Sequence, residues 1–311
     1  MSSELLEYLP QNIARVIKEE RDFEFDELIE IRLRVNQPLH LITYYCDLFP
    51  FSSDQELMEI TGKDMDTAFR LLTRNSVYAV ERQLAEGFIT IPGGHRVGFT
   101  GQAVLENGKI KLIKDINSLN YRIKHEIPGT GEKIAARIYN PEFDYIYNTL
   151  IISPPLCGKT TLLRDLLRII SDGYPEHGIR GRKTALVDER SEIAGAYNGI
   201  PQNKIGTRTD LLDNCPKAEG IMLILRSMSP EVIVVDEIGR KEDIGAIREA
   251  VNAGVNLLAT VHGRDLQSLF LRPSIKKLLL EKVFERYIVL SKRKGVGTLE
   301  GILDMDGKEV R

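Results

Sequence analysis

Asn148-Thr-Leu-Ile-Ile-Ser-Pro-Pro-Leu-Cys-Gly-Lys-Thr-Thr161 decides the fold. Its first five residues form an apolar run of strand length, and the Leu162-Leu-Arg-Asp-Leu-Leu167 that follows opens an amphipathic helix. Between them lies a loop ending in Gly158-Lys159-Thr160, which is the strand, loop, helix context that a phosphate-binding loop requires. Backbone N–H groups of such a loop and of the helix start cradle a triphosphate. Lys159 is placed to bridge its β and γ groups, and the Thr160 hydroxyl to ligate Mg²⁺. Ser153, Pro154, Pro155, Leu156, Cys157, Gly158, Lys159, Thr160 and Thr161 are therefore the candidate nucleotide-binding residues, with ATP and Mg²⁺ as the expected ligands. The usual motif begins with Gly where this chain has Ser153, which fits if the backbone there keeps φ below zero.

Outward from the loop, strands and helices alternate. Lys183-Thr-Ala-Leu-Val187, Glu231-Val-Ile-Val-Val235 and Leu257-Leu-Ala-Thr-Val261 read as further apolar strands, with helices at Lys159 to Ile170 and Lys241 to Asn252. Continuous apolar strands separated by helices predict an α/β fold whose parallel sheet is buried on both faces. Catalytic groups are then expected beyond the carboxyl ends of the strands. One strand ends in Asp236-Glu237, a Walker B pattern: Asp236 to hold the metal and Glu237 to polarise the attacking water. An ion pair with Arg240 is the competing reading of these acids. Another strand ends in Asp188-Glu189-Arg190 with Glu192 nearby, so Glu189 is a second candidate for orienting water. A third ends in Thr260-Val261-His262-Gly263, which puts His262 where a neutral imidazole can hydrogen-bond a γ-phosphate.

The first 127 residues read differently. Leu5, Leu6, Leu9, Ile13, Val16 and Ile17 predict one amphipathic helix over residues 1–20, without the uninterrupted apolar core of a signal peptide. Glu30 to Arg34 and Leu39 to Tyr45 are strand-like, Asp64 to Thr73 is helical, and Phe88 to Ile91 and Val97 to Val104 flank a Pro92-Gly93-Gly94 turn. These predict a smaller α+β sensor-like domain over 1–127. Ile127-Pro128-Gly129-Thr130-Gly131 has linker composition, so the nucleotide-binding domain is expected over 128–311.

Composition narrows the setting. Three widely spaced cysteines, Cys46, Cys157 and Cys215, form no zinc pattern and suit a reducing, cytoplasmic compartment. No run of about 18 apolar residues is present, so direct membrane insertion is not expected. A net charge of −3 argues against broad nucleic-acid binding. Lys292-Arg293-Lys294, beside Gly295 and Gly297, reads as a solvated turn between strands.

In order along the chain, the phosphate loop, the acidic box Asp188 to Glu192, the segment Leu225-Arg226-Ser-Met-Ser-Pro-Glu-Val-Ile-Val-Val-Asp236-Glu237 and the Ala259-Thr-Val-His262 box resemble the secretion ATPase superfamily. More narrowly, Glu30-Ile-Arg-Leu-Arg34, Ile91-Pro-Gly-Gly-His-Arg96-Val-Gly98 and Val187-Asp-Glu-Arg-Ser-Glu-Ile193 resemble the stage III sporulation protein AA family, from about residue 25 to residue 304. The resemblance implies a RecA-like P-loop NTPase core, ATP hydrolysis and a hexameric ring. It also implies work with membrane proteins of the same sporulation operon on a channel-like complex between mother cell and forespore, on the cytoplasmic, mother-cell side. Arginines of the N-terminal domain reach phosphate in that superfamily, which makes Arg96 and Arg122 candidates, with Arg226 a weaker third. Competing readings are a nucleic-acid-dependent ATPase and a nucleotide-gated scaffold with slow turnover.

Overall fold

Pro10 cannot donate a helical hydrogen bond, so the single helix expected over residues 1–20 is instead two, Ser2–Leu6 and Gln11–Glu19. The apolar spacing survives the break because Leu5, Leu9, Ile13 and Ile17 still enter one core. The computed structural model describes residues 2–74, 84, 87–106, 108–125 and 129–310. By its contacts the chain divides into Met1–His125 and Glu126–Arg311. Of the expected linker, Ile127 and Pro128 lie outside the described residues.

The first unit is built on strands β1 (Leu28–Arg34), β2 (His40–Thr43), β3 (Asp47–Leu48), β4 (Phe88–Ile91), β5 (His95–Glu106) and β6 (Lys109–Arg122), in the antiparallel order β3-β2-β1-β6-β5-β4. Ile31 and Leu33 of β1 are buried while Glu30, Arg32 and Arg34 stay partly exposed, the alternation of a sheet packed on one face. Helix Gly62–Leu72 covers that face with Met65, Ala68 and Leu72. Its start is fixed by Thr61, which caps Asp64 and is capped in return by the Asp64 carboxylate.

In the second unit, β7 (Tyr139–Asn140) pairs with β8 (Tyr145–Ile146), and β10 (Gly173–Tyr174) with β11 (Ile179–Arg180). The main sheet contains β9 (Thr149–Ser153), β12 (Thr184–Asp188), β13 (Thr209–Asp213), β14 (Val232–Val235), β15 (Asn256–His262), β16 (Arg286–Ser291) and β17 (Thr298–Asp304). Its order is β13-β12-β14-β15-β9-β16-β17, parallel throughout except for β17. Successive side chains serve opposite faces. Ile151, Leu186 and Val234 join the core beneath helix Lys159–Asp172, whereas Ile152, Val187 and Val235 join the one beneath Lys217–Ser227 and Lys241–Asn252. Each such fully buried aliphatic contributes about 1.5–3 kcal/mol relative to an exposed one. The polar Asn148 is held at the sheet's other end, where its Oδ1 accepts the Leu257 N–H at 2.8 Å and its own N–H donates to Glu285 at 2.9 Å.

Candidate functional site

β9 delivers the loop. Ser153, its last residue, is fully buried and has no left-handed φ, so serine causes no strain where the motif ordinarily has glycine. Its hydroxyl donates to the Pro154 carbonyl at 2.9 Å. The left-handed turns fall at Leu156 (φ 59°) and Gly158 (φ 81°) instead. Leucine in that region costs on the order of 1 kcal/mol, a strain of the kind that collects at ligand-holding loops. Lys159 opens the helix Lys159–Asp172 and is only 8% exposed, with Nζ 3.8 Å from Asp236 Oδ1.

Asp236 and Glu237 follow β14, and the neighbouring strand β15 sets their geometry. The Thr260 hydroxyl donates to Asp236 Oδ1 and accepts the Glu237 N–H at 2.8 Å, while the Thr260 carbonyl accepts the Ile238 N–H at 2.8 Å. This anchoring holds Glu237 at φ 49°, a left-handed conformation for a non-glycine residue. Glu237 Oε1 lies 3.3 Å from His262 Nε2. The other ring nitrogen, Nδ1, is buried without a hydrogen-bond partner among the described residues. In the β9–β15 pairing His262 stands opposite Ser153, so the histidine and the loop leave the sheet side by side. Beyond Glu237, the Asp243 carboxylate collects the N–H groups of Gly239 and Arg240, fixing the start of helix Lys241–Asn252.

The acids after β12 have different tasks. Asp188 is buried and accepts the N–H groups of Glu192, Ile193 and Ala194 at 2.8–2.9 Å, which folds the acidic box around it. Burial raises its carboxyl above the usual range, and these backbone donors only partly oppose that. Glu189 is bound by Lys217 Nζ and, at 3.2 Å, by Arg240 Nη1. Partial burial works to raise Glu189, but Lys217, with Arg240 and Arg190, outweighs it and holds the carboxyl below its ordinary value. Arg240 thus pairs with Glu189, which follows β12, the strand next to the one that leads into Asp236 and Glu237. Asp188, Glu189, Asp236, Glu237, Arg240 and His262 line one cavity of about 370 Å³.

Among the described residues no three His, Cys, Asp or Glu side chains form a metal cage. Mg²⁺ does not need one, since it keeps several waters and is commonly held by one or two protein oxygens plus substrate phosphates. The carboxylate of Asp236 and the hydroxyl of Thr160, next to Lys159 at the helix start, are hard oxygen donors of that kind. The two arginines proposed to reach phosphate belong to the first unit. The Arg96 guanidinium lies over the Phe88 ring, 4.6 Å from its centroid, and Arg122 Nε is 4.0 Å from Glu30. Arg226 sits exposed in the last turn of Lys217–Ser227. Sequence reasoning assigned no role to Thr260 or Lys217. The signal available was a threonine inside an otherwise apolar strand; nothing local marks Lys217.

A mostly parallel seven-stranded sheet, with a phosphate loop leaving an interior strand and acids at adjoining strand ends, defines the RecA-like P-loop fold of the type II and type IV secretion ATPases. The DotB ATPase of Legionella pneumophila shares it at 17% identity, over 85% of this chain and 72% of that one, with a TM-score of 0.55. The pilus retraction motor PilT, solved with bound ADP, does so at 13% identity, over 92% and 77%, with a TM-score of 0.58. The chain belongs to the family of sporulation stage III protein AA, which it matches over residues 2–310. Stage III sporulation protein AA of Bacillus subtilis (strain 168) is 43% identical to it over 305 residues, 98% of this chain and 96% of that protein. No described helix is long and apolar enough to cross a membrane.

Proposed function

We propose that this chain is a Mg²⁺-dependent ATP hydrolase that powers or assembles a secretion-like channel complex between mother cell and forespore. The observation that carries the chemistry is the meeting of Lys159, Asp236, Thr260, Glu237 and His262 at one edge of one sheet. In this reading the loop amides and Lys159 hold the β- and γ-phosphates, and Thr160 and Asp236 hold Mg²⁺, which supplies charge neutralisation there. Glu237 orients the water and takes its proton as oxygen attacks the γ-phosphorus and the bond to the β-phosphate breaks. His262, in reach of Glu237, aligns that carboxylate or reports the γ-phosphate. Arg96 and Arg122 offset phosphate charge from a neighbouring subunit of a hexameric ring. The family membership supports the sporulation setting, with membrane proteins as partners and the chain on the cytoplasmic side of the mother-cell membrane.

The deciding experiment is steady-state ATP hydrolysis by the purified chain, alone and with membrane fractions of sporulating cells. Lys159→Ala is expected to lower turnover by about tenfold to a thousandfold through lost transition-state electrostatics. Normal hydrolysis by that variant overturns the site. The ring is checked by particle mass with and without ATP: a monomer under both conditions removes any role for arginines in trans.

A further inference from the structure

Apart from Lys159 and Thr160 of the loop itself, the groups of this unit expected to meet the terminal phosphate or its metal follow β12, β14 or β15, all on one side of β9. A triphosphate laid across the loop with its γ end there has its α end on the opposite side, where the sheet continues as β16 and β17. β16 runs parallel to β9, with Val289 opposite Ile152, so it emerges at the same edge as the loop. The connection to β17 then turns directly onto it. A methyl group placed on the Gly158 Cα would lie 3.3 Å from Gly297 N and Cα and 3.4 Å from Val296 Cγ1. The turn that carries the charged segment therefore approaches the loop through Val296 and Gly297, while Lys292, Arg293 and Lys294 are exposed, as a solvated turn predicts.

This turn is preformed. The Gly295 carbonyl accepts the Thr298 hydroxyl at 2.7 Å, the Gly295 N–H donates to Lys292 O at 3.1 Å, and the Arg293 guanidinium is held by Glu300 at 2.9 Å. Its one large apolar side chain, Val296, is 73% exposed and enters no core cluster. A β-branched residue fixed at the rim of a phosphate cradle, on the side away from the γ end, offers a rigid apolar face at low entropic cost.

We propose that the Lys292–Gly297 turn is the nucleoside-holding lip of the site, with Val296 packing against the base and ribose of the bound nucleoside triphosphate. This deepens the ATP reading and rests on it. The test compares binding of ATP and of inorganic tripolyphosphate, which lacks a nucleoside, to wild type, Val296→Ala and Val296→Asn by calorimetry in Mg²⁺. Loss of the apolar contact is expected to weaken ATP about tenfold while leaving tripolyphosphate unchanged. Parallel losses for both ligands would mean that the turn only shapes the loop, and unchanged ATP binding would mean that it touches nothing; either overturns the proposal. Wild type that fails to bind ATP at all overturns the nucleotide site itself, a result separable from both. Melting temperatures equal to wild type are expected for the two variants, since the position is exposed.

Discussion

Glu189 and Glu237 occupy equivalent places in sequence, each directly after an aspartate at a strand end, and only their neighbours separate them. Glu189 is spent on Lys217 and Arg240, whereas Glu237 is 45% exposed toward the cleft and meets only His262 among the ion pairs described. A carboxylate already neutralised by two cations is a poor proton acceptor. Glu237→Gln is therefore expected to lower kcat by about a hundredfold or more with little change in KM. Glu189→Gln should leave kcat within about tenfold and instead lower the melting temperature, because Lys217 loses its counter-charge while nearly buried. Steady-state kinetics and thermal melts on the two variants decide the matter, and the reverse pattern reassigns the base. The phosphate loop and the Asp236-Glu237 pair were legible because local patterns carry them. Which glutamate is free was not, because Lys217 and Arg240 reach Glu189 from 28 and 51 residues away.

Elements whose period is clean were legible from their own residues: the strand Thr149–Ser153, the helix Lys241–Asn252 and the hairpin of β4 and β5. β13 escaped notice because an edge strand of sequence Thr-Asp-Leu-Leu-Asp carries no apolar run. Helix Lys217–Ser227 was equally quiet, yet its fit is tight. At Gly220 an added Cβ would lie 2.5 Å from Val187 Cγ1 on β12 and 3.2 Å from Leu212 on β13. Gly220→Ala gains about 1 kcal/mol in helix propensity. Overpacking costs about 1–3 kcal/mol and pushes the helix off the sheet. The expected result is a lower midpoint of chemical denaturation together with a rise in the Glu189 titration measured by NMR, as Lys217 retreats. An unchanged midpoint would show that the helix can slide without cost.

At the scale of the whole molecule, the two units answer differently to acid. His95, at the start of β5, is buried and its Nδ1 accepts the Lys124 N–H at 3.0 Å, a bond that needs that nitrogen unprotonated. Burial, then the charges of Lys124 and His125, lowers its pKa from 6.5 to about 4. The unfolded chain therefore takes up a proton below pH 6.5 that the folded unit refuses until about pH 4. Stability from this source is complete above pH 6.5 and falls as pH drops, by about 2 kcal/mol at pH 5. Hydrogen exchange at pH 7 and pH 5 should show protection lost first in β4, β5 and β6, and His95→Gln, which can still accept the Lys124 N–H, should flatten that dependence. Equal loss in both units would count against it. The wiring of the second unit has a consequence for how the protein is made. Thr149 of β9 pairs with Leu258 on one side and with Arg286 on the other, 109 and 137 residues further along the chain. During synthesis β9 emerges before either partner and stays unpaired on both edges until β15 and β16 leave the ribosome. A translation product interrupted before β15 and β16 thus exposes an apolar strand and leaves the loop after β9 without the strands that flank it.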